Sequence, residues 1–255
     1  MVVLLAAMLG IACIYVLMAQ KNSRKAPKQY SYRLVKSYSH DTRAYTQGLF
    51  FYKGNLYETT GQYGQSSLRK VDINTGKTLQ MTTFDKKYFA EGACVLKDKI
   101  YVLTWKEHIC FVYDAASFRL LGSLQYPTEG WGLTTDGVQL IMSDGSDRLY
   151  FLNPDNFAEM RRITVSNDKG NVRYLNELEY IDGEIWANVY GEEYIVRINP
   201  ATGHVEGKVN LQGILPRNLR TADTDVMNGI AYDNANKRLL ITGKNWPKMY
   251  EIEVK

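Results

Sequence analysis

A carboxylate, an amine and an indole stand at comparable places in this sequence. Glu91 lies at the start of one apparent strand, in the segment FAEG, and Trp105 follows the next strand. Lys244 follows a later strand of the same kind. A carboxylate can take up and return a proton, an ammonium can stabilise a developing negative charge, and aromatic rings can exclude water. These residue types indicate acid–base chemistry on a small polar ligand, held by the carboxylate and the aromatic rings if it carries an amine.

Glu91 occupies one of several equivalent positions in a repeated segment. Each copy is an apolar strand, a turn containing Gly, Asp or Asn, and a second strand, and the copies recur at intervals of about 40 to 50 residues. Further strands around an Asx-rich turn follow, most clearly in 68–77 and 195–204. The matched first-strand positions are Gln47, Glu91, Trp131, Asn176 and Asn228.

This repeat predicts an all-β fold, a five-bladed β-propeller with four-stranded antiparallel blades. A β-sandwich is the alternative, but it would not need such regular internal similarity. The strand within 31–38 has no hairpin partner, so we expect it to pair near 250–254 and close the ring. We expect residues 29–255 to form one catalytic domain, since no shift in composition marks a second one.

The repeat also predicts an asymmetric site. First strands line the channel of a propeller, so the five matched positions should converge. Their neighbours keep their character, as Gly48 and Gly92 do, whereas the five positions themselves differ. Trp105, Tyr190 and Lys244 follow second strands and should lie at one mouth of the channel. Each candidate also has a structural interpretation: channel packing for the aromatic and amide residues, a solvated loop for Lys244, a hydrogen-bonded structural acid for Glu91, and a surface strand for Arg69.

The first 28 residues differ from the rest. Val2–Ala19 is an uncharged apolar run, intermediate in length between a signal-peptide core and a minimal membrane span, and basic residues follow it. We expect export, or anchoring in a membrane through residues 2–19, with a basic linker up to residue 28. The positive charge on the C-terminal side favours the opposite, cytoplasmic orientation. Both orientations stay open.

Charge and cysteine content limit the partners and cofactors. The net charge of +4 comes from four basic residues within 1–28, so the remainder is balanced and is not built to hold nucleic acid. Cys94 and Cys110 are interpreted as buried thiols rather than a disulfide. The three histidines show no ligand spacing, so we expect no metal and no cofactor. A second catalytic carboxylate and a serine nucleophile motif are also missing.

From about residue 38 to the C-terminus, a series of motifs resembles the glutaminyl-peptide cyclotransferases of plant and bacterial type. In order, the motifs are YTQGL, LYETTGQYGQSSLR, FAEG, YVLTW, EGWGLTTDG, SDGS, LNELEY, ANVY, MNGIAYD and TGKNWP. The resemblance implies a five-bladed propeller. It also implies conversion of an N-terminal glutaminyl residue to pyroglutamate with loss of ammonia, without zinc. Some plant members bind calcium, but no calcium loop is recognisable here.

The resemblance also implies roles for individual residues. Glu91 falls on the proposed acid/base, and Lys244 on a substrate-binding lysine. Tyr190 stands where the family usually has Trp, which leaves substrate preference at that wall open. The full set of candidates is catalytic Glu91 and Lys244, with substrate contacts from Gln47, Arg69, Phe89, Trp105, Glu129, Trp131, Asn176, Tyr190 and Asn228.

The predicted function is therefore glutaminyl-peptide cyclotransferase activity by a monomeric enzyme. Its partners are peptides and proteins with N-terminal Gln. The alternatives are a propeller that binds peptides or glycans without catalysis, and a lactonase-like hydrolase. A binder needs the aromatic residues but not the acid and the lysine, and a lactonase normally needs several metal-ligating carboxylates.

Overall fold

A computed structural model describes residues 25–255, which form an all-β five-bladed propeller. In chain order, the strands are β1 (Lys28–Tyr30), β2 (Tyr32–Ser39), β3 (Thr46–Tyr52), β4 (Asn55–Thr60), β5 (Ser67–Val71), β6 (Thr78–Thr83), β7 (Ala90–Leu96), β8 (Lys99–Thr104), β9 (Ile109–Asp114), β10 (Leu120–Gln125), β11 (Leu133–Thr135), β12 (Leu140–Ser143), β13 (Arg148–Leu152), β14 (Glu159–Thr164), β15 (Ser166–Asn167), β16 (Gly170–Asn171), β17 (Leu175–Ile181), β18 (Glu184–Val189), β19 (Tyr194–Ile198), β20 (Val205–Asn210), β21 (Met227–Asp233), β22 (Arg238–Gly243) and β23 (Lys248–Val254).

Four blades are consecutive antiparallel sheets. They consist of β3–β6, β7–β10, β11–β14 and β17–β20, numbered here as blades 1 to 4. β1 adds a parallel fifth strand to the outer edge of blade 4. Between blades 3 and 4, β15 and β16 form a short ribbon, and Arg217–Leu219 forms a 3-10 turn before blade 5. The predicted fold class is confirmed.

Blade 5 joins the two ends of the described chain. It contains β21, β22 and β23, and its outer strand is β2 from the N-terminal side. In this antiparallel pair Tyr32 lies opposite Val254 and Ser39 lies opposite Lys248. The predicted closure of the ring is therefore confirmed. Because strand pairing holds the first and last elements together, opening the ring would expose two blade faces at once.

The buried apolar side chains form five clusters, one between each pair of neighbouring blades. Alternation along the strands creates this arrangement, because successive side chains point to opposite faces of a sheet. In blade 3, Leu140 and Met142 pack toward blade 2, whereas Ile141 between them packs toward blade 4. The predicted buried thiols, Cys94 and Cys110, both lie free in the cluster between blades 2 and 3.

Close approach of the blades at the axis explains the recurring glycines. A Cβ on Gly92 would lie 2.6 Å from the backbone N of Leu133, and one on Gly132 would lie 1.9 Å from the carbonyl O of Asn176. No side chain fits there. Blade 4 differs, because Glu177 takes the glycine position and its buried carboxylate accepts the backbone N–H groups of Leu49 and Ile230. The first strands are thereby held at a fixed distance from one another.

The predicted leader, Val2–Ala19, lies outside the described residues. Among the residues that the structure describes, no helix has the length and apolarity needed to cross a membrane. β1 runs parallel to β20. Since β20 runs toward the end of blade 4 that carries Tyr190, β1 runs toward that end as well.

Candidate active site

A cavity of about 470 Å³ opens at one end of the channel. Its walls come from the starts of first strands and from the residues that follow second strands, so all five blades contribute. Burial of a small ligand in such a concave, largely aromatic space is typical of a binding site. The lining residues are Tyr45, Gln47, Gln62, Tyr63, Phe89, Glu91, Trp105, Trp131, Asn176, Tyr190 and Lys244.

Glu91 lies on the floor of the cavity, and its carboxylate accepts a side-chain hydrogen bond from blade 1. The side-chain amide of Gln47 donates to its Oε1 at 3.0 Å. The orientation of that amide is set by Asn228, whose Nδ2 donates to the Gln47 Oε1 at 3.2 Å and to the carbonyl O of Thr46 at 3.0 Å. Gln47 therefore presents its N–H group, and not its oxygen, to the carboxylate.

Burial raises the pKa of Glu91 well above its usual value. The nearby ammonium of Lys244 lowers it in part, and the carboxylates of Glu129 and Glu107 raise it further. The net effect favours the protonated acid more than in water. A buried carboxyl group with a raised pKa can both accept and return a proton in one reaction cycle.

Lys244 faces the cavity from the loop after β22 and is only 4% exposed. Its Nζ lies 4.8 Å from the ring centre of Tyr45 and 5.4 Å from that of Tyr190. Burial lowers its pKa, while Glu91 and Asp225 raise it. Asp225 also accepts a hydrogen bond of 2.7 Å from the Tyr45 hydroxyl, so it is tied to the ring beside the ammonium.

Two aromatic pairs form part of the wall. Phe89 and Trp105 meet edge to face at 5.5 Å between ring centres, and Trp131 and Tyr190 do so at 5.8 Å. Glu129 links the two pairs, because its Oε2 accepts the indole N–H of Trp105 at 2.8 Å and that of Trp131 at 3.0 Å. One carboxylate thus sets the orientation of both indoles.

Eight of the sequence-predicted candidates line the cavity, and three do not. Glu129 lies behind the two indoles, and Asn228 lies behind Gln47, so each acts on a lining residue and not on the cavity itself. Arg69 pairs with Asp41 at 3.1 Å and contacts Ser67, away from the lining. The eight that line the cavity are Gln47, Phe89, Glu91, Trp105, Trp131, Asn176, Tyr190 and Lys244.

Trp131 was expected within a first strand, but β11 begins two residues later, at Leu133. The carbonyl O of Trp131 accepts the backbone N–H of Gly92 from blade 2, and its own N–H donates to Ser143. The backbone at this point joins two blades and leaves the regular ladder, which allows the large indole to stand at the mouth.

Sequence reasoning missed three lining residues, Tyr45, Gln62 and Tyr63. Gln62 and Tyr63 follow β4, the second strand of blade 1. They lie one and two residues after Gly61, which holds the place of Trp105, Tyr190 and Lys244 in other blades, and their position in that loop was the available signal. Gln62 has a positive φ of 88°, which is unusual for a residue other than glycine. Tyr63 donates its hydroxyl to Glu107 at 2.8 Å on the rim.

The polar side chains that line the cavity have little in common with the ligands of a metal centre. Within residues 25–255 no group of three or more His, Cys, Asp or Glu side chains is arranged to hold an ion. The lining itself contains one carboxylate and no histidine. The site instead combines a proton-transfer group, a cation and amides within aromatic walls.

Comparisons with known proteins agree with this geometry. The family model described as glutamine cyclotransferase matches residues 6–254. A glutaminyl-peptide cyclotransferase of Arabidopsis thaliana is 40% identical over 227 residues, which cover 87% of this chain and 71% of the relative. The crystal structure of a glutaminyl cyclase of Myxococcus xanthus has a TM-score of 0.82 at 32% identity, and the match covers 90% of this chain and 98% of that one.

Proposed function

This chain belongs to the glutamine cyclotransferase family, and we propose that it converts the N-terminal glutaminyl residue of peptides and proteins to pyroglutamate. The observation that carries the proposal is the buried Glu91, which lies within the electrostatic reach of Lys244 at the floor of an aromatic cavity. A peptide binder needs the aromatic walls but not this buried acid and amine. The non-catalytic and lactonase-like alternatives are accordingly not favoured.

The reaction is an intramolecular acyl transfer. The substrate α-amine nitrogen attacks the side-chain amide carbon of its own glutamine, a C–N bond forms, and the bond to the amide nitrogen breaks. The α-amine must be neutral to attack. Glu91 takes its proton and delivers it to the departing amide nitrogen, which leaves as ammonia. A raised pKa makes the Glu91 carboxylate a stronger base toward the substrate amine than an exposed carboxylate is.

Lys244 supplies positive charge where the carbonyl oxygen becomes an oxyanion. A preorganised donor of this kind contributes a few kcal/mol to the transition state, roughly 2.7 to 4 in measured cases. Asn176 lies on the same lining, and its Oδ1 has no hydrogen-bond partner among the described residues. That oxygen is a suitable acceptor for the substrate amine or amide N–H.

The aromatic walls hold the glutaminyl residue folded and exclude water. Ring closure to a five-membered product already has a high effective molarity when the chain is held in a near-attack conformation. Excluding water suppresses hydrolysis of the amide to glutamate, which would consume the same substrate. Tyr190, whose ring is smaller than the indole usual in the family, leaves more room beside Trp131. We expect it to widen the range of residues accepted there.

We further propose that the enzyme is monomeric, needs neither a metal nor a cofactor, and is exported or tethered to a membrane through residues 2–19. One observation is compatible with the absence of a metal. The single carboxylate of the lining gives a divalent ion few ligands.

Ammonia release from a short peptide that begins with Gln tests the proposal, with and without a chelator. We expect stoichiometric ammonia and a mass loss equal to one ammonia, with unchanged rates in the chelator. The same peptide with an acetylated N-terminus is the matched control, because it has no free amine to attack. Binding of the peptide without ammonia would favour the non-catalytic alternative, and loss of activity in the chelator would refute metal independence.

A further inference from the structure

The backbone segment Gly243–Pro247, here called the lysine loop, carries Lys244 into the cavity. On its inner side, the backbone of Lys244 exchanges hydrogen bonds with the segment before β21. Its N–H donates to the carbonyl O of Val226, and its carbonyl O accepts the N–H of Asp225, both at 3.0 Å. The second half of the lysine loop is held by the indole N–H of Trp246, which donates to the carbonyl O of Asp225 at 2.8 Å, and by contacts on its other side.

His40 supplies support from the other side. Its backbone N–H donates to the carbonyl O of Pro247 at 3.0 Å, and its ring Nδ1–H donates to the carbonyl O of Trp246 at 2.7 Å. The ring Nε2–H donates to the Glu58 carboxylate at 2.9 Å. Both ring nitrogens therefore face acceptors, an arrangement that the doubly protonated imidazolium satisfies in full.

Glu58 in turn is fixed within blade 1. Its Oε1 also accepts the Thr46 hydroxyl at 2.7 Å. The side chains of His40 and Glu58 are only 2% and 3% exposed. Such a buried ion pair gives little net stability compared with apolar residues of similar volume, so stability alone is a weak reason for its presence.

The surroundings of His40 favour its charged form. Burial lowers its pKa, but the facing carboxylate of Glu58, the Trp246 carbonyl and Asp41 together outweigh this, so the net pKa is raised. For Glu58, burial raises the pKa, whereas His40, Thr46 and Arg69 lower it, with a net lowering. Arg69, which pairs with Asp41, thus belongs to this charged group and not to the cavity.

The segment that follows His40 also carries residues of the cavity. Ala44 accepts the backbone N–H of Asn245 at 2.8 Å, and the next residues are Tyr45, beside Lys244, and Thr46 and Gln47, which lead to Glu91. The positions of the lysine loop and of Glu91 therefore both depend on one short stretch of chain, from His40 to Gln47. A shift of this stretch changes the distance between the two catalytic groups.

We propose that His40, oriented by Glu58, is a positioning residue that holds the lysine loop through the carbonyl of Trp246, so that Lys244 meets the developing oxyanion. This inference rests on the proposed cyclotransferase function. His40 does not touch the cavity, and its effect passes through the backbone from Trp246 to Lys244. A misplacement of about 1 Å at a reacting group can cost about a hundredfold in rate.

Two substitutions separate positioning from general stability. His40→Asn places an amide N–H near the position of Nδ1 and keeps the donor to Trp246. His40→Gln places it near Nε2 and keeps only the bond to Glu58. Both variants remove the charge and one buried hydrogen bond. We expect kcat to fall by about 30-fold in His40→Gln and by no more than about fivefold in His40→Asn, with KM nearly unchanged in both.

His204→Gln is the control, since His204 lies in a turn of blade 4 away from the cavity, and its kcat should equal that of the wild type. Activity of the wild type upholds the proposed function. Equal losses of kcat in the two His40 variants, or no loss of kcat in His40→Gln, would then overturn only the inference about His40. An inactive wild type would count against the function itself. Thermal unfolding of each variant is measured alongside.

If both His40 variants fail to fold, Pro247→Gly tests the inference instead. This change loosens the lysine loop but leaves the buried pair intact, because glycine at position 247 removes the fixed φ of proline. A fall in kcat of about tenfold or more in a folded Pro247→Gly protein supports the inference. A wild-type kcat shows that Lys244 does not depend on a rigid lysine loop and overturns it.

Discussion

The side-chain amide of Gln47 donates a hydrogen bond of 3.0 Å to the carboxylate of Glu91 and so joins the first strands of blades 1 and 2 at the floor of the cavity. Asn228 in blade 5 fixes which end of that amide faces the acid. Three neighbouring blades therefore determine the orientation of one proton-transfer group. The predictions below follow from this relationship and from the contacts around it.

Replacement of Glu91 by Gln tests the proton-transfer role. The amide keeps the shape of the side chain and an oxygen for Gln47, so we expect the thermal unfolding transition to persist. It cannot take the proton from the substrate amine, and kcat on a Gln-initiated peptide should fall by at least about a hundredfold. Glu206→Gln, an exposed change in blade 4, is the control. Near-normal turnover in Glu91→Gln would contradict the assignment.

Gln47→Leu should shift the pH dependence of activity rather than abolish activity. A hydrogen bond to an ionised group is worth roughly 1.5 to 3 kcal/mol, and the lost bond favoured the carboxylate form of Glu91. Its pKa, already raised by burial, should rise further. Because the base must be ionised, the acid limb of the profile of kcat/KM against pH moves to higher pH. An unmoved limb would refute this account.

Lys244→Arg should alter the alkaline limb of the same profile. Burial lowers the pKa of Lys244 below its usual value of 10.5, so the wild type loses the positive charge as pH rises through that lowered pKa. Arginine stays charged throughout, and the alkaline limb should move to higher pH even if kcat itself decreases. Lys244→Met, which has no charge, should lose about a hundredfold in kcat at pH values where the wild-type lysine is charged, and this difference should shrink as pH rises through the lowered pKa. Identical limbs in the wild type and Lys244→Arg would show that this lysine is not the titrating group.

Glu129→Ala should weaken substrate binding more than turnover. Both indoles that share its Oε2 lose a charge-assisted hydrogen bond and with it their fixed orientation. We expect KM to rise by about tenfold, with a change in kcat of no more than about threefold. Glu129→Gln retains an acceptor oxygen, and its KM should lie between those of Glu129→Ala and the wild type. A loss confined to kcat would instead place Glu129 in the chemical step.

The buried pair His40–Glu58 predicts a limited pH range of maximal stability. The pKa of His40 is raised above its usual 6.5 in the folded protein, so its contribution is complete below about pH 6.5 and is lost as pH rises through the folded pKa. The pKa of Glu58 is lowered below its usual 4.5 in the folded protein, so its contribution to stability is lost as pH falls through the folded pKa. The melting temperature should decline on both sides. The decline in melting temperature at alkaline pH should be absent in His40→Asn. If His40→Asn still shows this decline, groups other than His40 cause it.

Much of the architecture could be read from local patterns. Alternating apolar residues specify which side chains enter the clusters between blades, as Leu140, Ile141 and Met142 do, and this is a property of each strand by itself. The repeat then predicts that equivalent positions converge. For that reason Glu91, Trp105, Tyr190 and Lys244 could be placed together at one mouth before any coordinates were known.

Contacts between blades could not be predicted from strand patterns or from the repeat. Glu129 and Asn228 occupy positions that predict a lining role, yet they lie one layer behind, because the indoles and Gln47 stand between them and the cavity. Arg69 turns to Asp41, and His40 meets a carbonyl 206 residues away in sequence. Such partners are chosen by the angle and distance between neighbouring blades.

The sequence by itself therefore determined the propeller, its ring closure and most of the residues brought to the channel mouth, because strand periodicity and repeat length are local properties of the chain. Only the tertiary structure decided which of those residues touch the cavity and which hold the others in place. The physical reason is that hydrogen-bond partners and pKa shifts depend on burial and on distances of a few ångströms between side chains from different blades, which no spacing along the chain encodes.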